Sequence, residues 1–503
     1  MTDSDRRMVV EGVEFAQLVQ FPKILRSVTA AFQLPRMVLG LLLVAALVTG
    51  GRVWDSLFPA NVSPDGLMAE PWTAQDAASS QQVLTAALKR YDTDTEASAD
   101  GVLDTLDVLA AVRQAYADRR HGLLDEADES ERAMAVLGDN DDEFVETIRE
   151  LDSVRPRGTF EATASHVTAG FNKLTKGFVS LDFGSFFSGM GDVFVWTPIG
   201  VWRNDRLFAL VYGFFFVVLI AIGGGALTRM TAVELATGTK LRLYEAVDFA
   251  LRTWRRLVGS LVLPLLIAGL LSALLLVGGF FLMLPWLDVL GGLLYGVALL
   301  LGFGVVFLLA GYAAGFSLLI PAVACENCDA ADAQQRAYAY VLSHPLHLLG
   351  YGFVGITGLS VGFVVASVFA VAVLSVTGAL VDAATANAAI DVTSGFELFK
   401  LSPSRTEALP LQLHSEWSAA LVMLWQTVVV CLVTGYVFSY YFSASMVIYM
   451  LMRRVCDGQE LDEIWQPGEA LSSVALDDDE EEDDEDEDDD DEEGVDDDTE
   501  ESR

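Results

Sequence analysis

Charge is what the apolar part of this chain lacks. From Leu257 to Ile320 the only charged residue is Asp288, and a run that long cannot be a single soluble core helix. A bilayer core takes about 20 apolar residues per helix, so the run must fold back on itself near Pro285–Asp288. Basic residues are scarce as well, with 31 Lys and Arg against 70 Asp and Glu. No basic patch with interleaved aromatics occurs, which excludes nucleic acid as a partner. The four cysteines, Cys325, Cys328, Cys431 and Cys456, all lie outside the polar segment 55–205, so that segment has no disulfide framework. There is no P-loop, no dinucleotide fingerprint and no HExxH helix, and the chemistries those motifs carry are excluded with them.

What is there is sharply segregated. The 503 residues are 52% hydrophobic with mean hydropathy +0.40, yet the formal net charge is −39. One uniform globule cannot combine these properties. The charge collects in two places: residues 477–503 hold 22 acidic residues and one Arg, and residues 55–205 hold 27 acidic and 12 basic ones. The apolar remainder reads as six transmembrane helices, at Leu34–Trp54, Leu207–Leu227, Leu257–Leu284, Val289–Ile320, Leu346–Val381 and Ala419–Met452. The last three exceed a 30 Å core at 1.5 Å per residue, which predicts tilts, kinks or extensions into water. Met37–Gly50 follows basic residues as a signal sequence would, but no small-x-small cleavage pattern follows, and the run is read as a retained anchor.

Between and around the spans lie the other regions. Residues 1–33 form an amphipathic segment, with Phe15, Leu18, Val19, Ile24, Leu25, Val28 and Phe32 at near-helical spacing and Pro22 as a break. This predicts a helix lying flat on the inner membrane surface. Residues 55–205 predict an acidic helical domain with two apolar stripes, one of Val83, Leu84, Ala87, Leu88 and Tyr91, the other of Val102, Leu106, Leu109, Val112 and Tyr116. From Phe160 to Trp202 this region is richer in Phe, Gly and Trp, and Trp196 and Trp202 suit an interfacial belt. Residues 206–452 are the membrane domain, 453–476 a juxtamembrane segment and 477–503 a tail too charged to fold. Lys and Arg near the span ends fall on one side if there are six helices. This puts both termini in the cytoplasm and the acidic domain outside a cell inner membrane.

Three acidic elbows recur after spans two, four and six: Val233-Glu234-Leu235, Cys325-Glu326-Asn327 and Cys456-Asp457-Gly458. They indicate a hairpin organisation. The glycine pairs Gly292/Gly296, Gly311/Gly315 and Gly358/Gly362 are spaced to let helices approach closely.

Phe21-Pro22-Lys23-Ile24-Leu25-Arg26, Gly224-Gly225-Ala226-Leu227-Thr228-Arg229, and Pro321-Ala322-Val323-Ala324-Cys325-Glu326 with Asp329, Asp332, Arg336, Tyr340 and Pro345 give the chain a further character. With these stretches it resembles a family of uncharacterised bacterial polytopic integral membrane proteins. The resemblance covers most of the chain apart from the tail and much of the outer domain. It implies a six-helix fold and carries no activity. The usual pattern of that family has neither cysteines at 325 and 328 nor histidines at 344 and 347.

Several constellations invite chemistry. Cys325-x-x-Cys328 with His344-x-x-His347 is a tetrahedral zinc set in residue type; the histidine spacing is one short of the usual range, and the plainer reading is unliganded side chains. Gly358-Leu359-Ser360-Val361-Gly362 matches the nucleophile-elbow pattern, but inside an apolar span without a histidine or carboxylate beside it. Asp139, Asp141, Glu143 and Glu150 imitate a calcium loop whose sharp-turn position is Phe144 instead of glycine. Glu326, Asp329, Asp332 and Arg336 sit at helical spacing, either as a capped and paired elbow helix, with Asp332 and Arg336 as an i,i+4 pair, or as a cytoplasmic docking surface.

The sequence thus predicts an all-α polytopic membrane protein with an extracytoplasmic acidic helical domain and a disordered acidic C-terminal tail. No cofactor is expected. The expected function is that of a non-enzymatic scaffold or binding protein, touching membrane lipids and offering its tail to a basic protein partner. The alternative is a transporter or lipid-handling protein built from repeated hairpins; the absence of ionisable residues within the spans counts against ion coupling.

Overall fold

A computed structural model describes residues 21–70, 72–93, 103–126, 140, 143–144, 146–283, 288–385, 416–459, 461 and 463–465. Among the described residues the protein is all-helical. Its only β-type pairing is the isolated antiparallel bridge Val62–Arg157. The tail 477–503 and residues 1–20 lie outside the described residues, as do Asp139, Asp141 and Val102.

In chain order the helices are α1 (Phe21–Ala31), α2 (Leu34–Leu57), α3 (Ala74–Arg90), α4 (Thr105–Glu126), α5 (Thr159–Val179), α6 (Phe183–Gly191), a π-helical turn at Asp192–Trp196, and α7 (Thr197–Asn204). They continue as α8 (Arg206–Thr237), α9 (Leu243–Arg252), α10 (Trp254–Met283), α11 (Asp288–Glu326), α12 (Ala330–Ser343), α13 (Pro345–Thr385) and α14 (Glu416–Asp457). Six of them, α2, α8, α10, α11, α13 and α14, are long and apolar enough to cross a membrane. They match the six predicted spans in order, but most run past the apolar runs. Helix α8 reaches Thr237, α11 reaches Glu326 and α14 reaches Asp457, with lengths of 32, 39 and 42 residues. The ends are locally encoded: the Asp205 carboxylate accepts from the Phe208 N–H at 3.0 Å to start α8, and Gly238 stops it in the left-handed region at φ 70°.

Close backbone approaches decide the packing. Helices α2 and α14 meet where Gly40 lies against Gly435; a Cβ on Gly40 would collide with the Gly435 carbonyl. Helix α13 lies on α14 through Gly358 against Tyr440 and Gly362 against Tyr436. The Tyr440 hydroxyl donates to the Gly355 carbonyl at 2.8 Å. Helix α8 runs through the middle, touching α2, α10, α11 and α14. The principal core fills one end of the bundle with Leu227, Met230, Leu257, Leu318, Val323, Tyr449 and their neighbours. This end, where the charged helix termini gather, is called the polar end below.

Helix α1 is packed against the bundle. Pro22 is the second described residue of this helix, and Ile24 and Ala31 are fully buried against the bundle. The Ser439 hydroxyl donates to the Ala31 carbonyl at 3.0 Å, so α1 is wedged against α13 and α14 instead of floating beside them.

At the other end of α2 sits a small helical lobe. Leu84, Ala87, Leu88 and Tyr91 of α3 face Val108, Leu109, Val112 and Tyr116 of α4, joined by Phe144, Ile148 and Leu151. The Tyr116 and Phe144 rings stack at 4.1 Å. Both predicted stripes contribute, except that Val83 is only half-buried and Val108 joins the core unforeseen. Glu143 pairs with Arg119 at 3.4 Å and Glu150 with Arg90 at 3.3 Å, so these two carboxylates are engaged in helix contacts.

Candidate functional site

The charged residues of the polar end converge from five elements. Glu234, near the end of α8, accepts from Arg36 of α2 at 2.5 Å and from the Gln33 amide at 2.8 Å. Glu326, the last residue of α11, accepts from the Tyr449 hydroxyl at 2.6 Å and pairs with Arg336 of α12 at 2.9 Å. Arg453 of α14 stands 3.9 Å from it. Asp457, at the end of α14, accepts a short hydrogen bond from the Tyr340 hydroxyl of α12. These are the three elbow acids, and each ties its own helix end to another element. Asn327 and Gly458, directly after the second and third acids, have positive φ of 52° and 70°, and Gly238, four residues after the first, has φ 70°.

Three arginines in this set are almost wholly buried, Arg36 at 1%, Arg229 at 4% and Arg453 at 3% exposure. An unpaired buried guanidinium is costly, so each position demands partners. Arg229 donates to the Ala324 carbonyl at 3.0 Å and to the Trp465 carbonyl at 2.7 Å. Its guanidinium also lies 4.9 Å from the Phe249 ring centre and 5.5 Å from that of Trp465. Arg453 donates to the Cys325 sulfur at 3.1 Å and to the Glu463 carbonyl. With the Trp465 N–H donating to the Cys325 carbonyl at 3.0 Å, these bonds clamp residues 463–465 onto the ends of α8, α11 and α14. Ile464 is buried in the same core.

The cysteines and histidines are not gathered as a zinc site would require. Cys325 is fully buried and accepts from Arg453. Burial, with Glu326 nearby, pushes the Cys328 thiol up to about 12, which opposes the thiolate a metal needs. His344 turns instead to Cys456, its Nδ1 3.5 Å from the sulfur, and its ring lies 5.5 Å from that of His347. Among the described residues no three His, Cys, Asp or Glu side chains are placed to share a metal ion.

The candidate docking cluster divides in two. Glu326 and Arg336 pair with each other, so Arg336 takes an acid from the preceding helix where the spacing predicted Asp332. Burial lowers the Arg336 pKa, but Glu326, Tyr449 and Tyr340 together outweigh this and hold the guanidinium above its ordinary value. Asp329 occupies the N-cap position of α12, yet its side chain caps nothing; it is largely exposed and pairs with Arg256 at 3.2 Å. Arg256 also donates to the Asn327 carbonyl at 2.6 Å. Asp332 is exposed. Ser360 of the nucleophile-elbow pattern is buried inside α13, not on a strand-to-helix turn, and its hydroxyl has no partner among the described residues.

Sequence reasoning missed Arg36, Arg229 and Arg453 as interior groups, because near a span end they read as solvent-facing charges. It also missed Trp465, which lies beyond the last apolar run. No family model, curated protein or solved structure matches the chain.

Proposed function

We propose that the protein is a non-enzymatic membrane scaffold of the inner membrane, with both termini in the cytoplasm, that presents its acidic tail to a basic protein partner. The observation that carries this reading is the clamp on residues 463–465 by Arg229, Arg453 and the Cys325 carbonyl. It ties residues 463–465, in the stretch before the tail, to the polar end of the bundle, as a presenting element requires. Buried charges elsewhere at this end are spent on joining helices, which suits a rigid platform. The polar end is then the cytoplasmic one, in line with the excess of Lys and Arg near it, and the lobe is extracytoplasmic. Membership of the uncharacterised bacterial family that the chain resembles fits the same picture and remains part of the proposal.

The test is purification in mild detergent of the full chain and of a form cut before Asp477, with proteins and lipids identified by mass spectrometry. A basic partner retained only by the full chain supports the scaffold. Lipid or solute bound to both forms, without a protein partner, favours the transporter or lipid-handling alternative.

A further inference from the structure

The segment that the sequence assigns to the outer domain contains an element that runs alongside the spans. Helix α5 starts at the lobe end of α2: the Asp55 carboxylate accepts from the Phe160 and Glu161 N–H groups at 2.9 Å each, and the Phe160 ring covers Gly51. Further along, the Phe171 and Phe363 rings meet edge to face at 5.2 Å. Phe178 then reaches Phe353, with ring centres 5.9 Å apart. Phe353 lies about two turns from Pro345, where α13 begins at the polar end beside the Cys456–His344 contact. Successive contacts therefore descend from the lobe end to the polar end. The 21 residues of α5 cover about 31 Å, close to the thickness of a bilayer core.

The chain then turns at Ser180–Asp182, with Leu181 at φ 56°, and climbs back. Gly177 lies against Phe186, Gly189 against Leu174, and Gly170 against Asp192 and Val193; Asn204 finally bonds the Leu67 carbonyl at 2.7 Å. Small residues at each crossing are how helices pack where apolar burial gives no driving force. Part of the hairpin's polar content is paired within it, while His166 Nε2 and Asn172 Oδ1 are buried without a hydrogen-bond partner among the described residues. Lys173 donates to the Ser188 hydroxyl at 2.6 Å and pairs with Asp192 at 3.2 Å, and the Thr197 hydroxyl takes up the Asp192 carbonyl at 2.8 Å beside the π-helical turn. Its outward face is apolar and uncovered: Phe183, Phe187, Phe194, Trp196, Ile199 and Trp202 are each about half exposed or more.

We infer that residues 159–204 form a helical hairpin inserted in the bilayer from the lobe side, its tip at Ser180–Asp182 directed to the polar end and its aromatic face covered by lipid acyl chains. The inference rests on the reading of the six long helices as spans. The face is continuous with exposed Leu207, Leu210 and Phe214 of α8. In water such a surface would be a large liability, whereas in hydrocarbon it costs nothing. A pair of added crossings leaves the sidedness of all the other spans unchanged, and the pair Lys173–Asp192 then lies at membrane depth, where ionisable groups are kept only when paired or used.

Cysteine accessibility tests this in the full chain, in sealed vesicles of known sidedness. Thr85→Cys in α3, exposed on the lobe, reports the lobe side, and Ser180→Cys reports the tip. A membrane-impermeant maleimide applied from the lobe side should label Thr85→Cys, and label Ser180→Cys about ten-fold more slowly or not at all until the opposite face or detergent is offered. Equal labelling of both from the lobe side overturns the inference. Because the lobe is the reference, an inverted chain would exchange both labels and break only the proposed orientation. If either variant fails to fold, quenching of tryptophan fluorescence by brominated lipid decides instead: Trp196→Phe should remove part of the quenched signal, and no change overturns the inference.

Discussion

Helices α11 and α14 differ in a way that reverses the usual expectation. The apolar window of α11 has mean hydropathy 2.5 and none of it is buried inside the protein, whereas that of α14 has 1.5 and is half buried. In this pair the more apolar helix is the less buried one, although α13, equally apolar at 2.5, is 39% buried; the core of α14 is built where serine, tyrosine and charge enter the helix. Ser439, Ser443 and Ser445 of α14 are buried beside Tyr436, Tyr440 and Tyr449. In hydrocarbon a further leucine gains nothing by leaving lipid for protein, so cohesion falls to close packing and hydrogen bonds.

The sharpest way to break the contrast is to remove a counter-ion from the polar end. Glu234→Ala leaves Arg36, 1% exposed, without its partner, and should destabilise the protein by about 3–5 kcal/mol. Thermal unfolding in detergent reads this as a large drop in midpoint. The double variant Arg36→Met/Glu234→Met should recover most of the loss, because the cost lies in the stranded charge more than in the pair.

Next comes the packing of α13 on α14. A methyl at Gly362 would collide with the Tyr436 hydroxyl, whose ring is held by Phe32 stacked at 4.4 Å. Gly362→Ala should cost about 1–3 kcal/mol. Tyr436→Phe in the same chain should restore part of it, since the hydroxyl has no hydrogen-bond partner to lose.

These two variants also mark what could be read in the sequence. The six spans were legible because an uncharged run of twenty residues has few physical alternatives. The elbow repeat was legible in its three acids, but not their partners, since Tyr449, Tyr340 and Arg36 come from elements far away in the chain. Spacing gave Asp332 to Arg336, and tertiary structure gave it Glu326, a case of long-range geometry overriding a local pair worth a fraction of a kcal/mol. Residues 159–204 escaped the span count because Lys173, Lys176 and Asp192 lower their hydropathy, although the pair that cancels much of that charge is internal to the hairpin.

A smaller effect belongs to the lobe, which lives by the rules of water. The Thr73 hydroxyl and N–H both donate to the Asp76 carboxylate, at 2.7 and 2.9 Å, and Thr73 accepts from the Asp76 N–H. This reciprocal cap opens α3. Its hydrogen bonds, that from the hydroxyl first, hold the Asp76 pKa below the ordinary carboxylate value. A depressed folded pKa contributes stability above the unfolded pKa and loses it as pH falls through the folded one. Wild type should therefore exceed Asp76→Asn in lobe stability at neutral pH, and the difference should shrink on acidification below about 4.

The smallest effect is expected where the sequence promised the most. Gly292 and Gly296 share the spacing of Gly358 and Gly362, yet among the described residues nothing lies within 4 Å of a Cβ added at either, while both glycines of α13 would meet a tyrosine. Identical spacing thus serves a tight interface in one helix and an open face in the other. If lipid covers that face of α11, Gly296→Ala should leave the stability unchanged or raise it by up to about 1 kcal/mol through helix propensity. Gly296→Leu should then be tolerated as well, because a longer side chain meets only acyl chains. A loss in the leucine variant that the alanine variant does not show, together with a smaller mass in detergent by light scattering, would mean that a second copy approaches closely along Gly292 and Gly296. Then the unburied window of α11 would be an interface between chains, and the contrast with α14 would narrow to a difference in which chain supplies the partner.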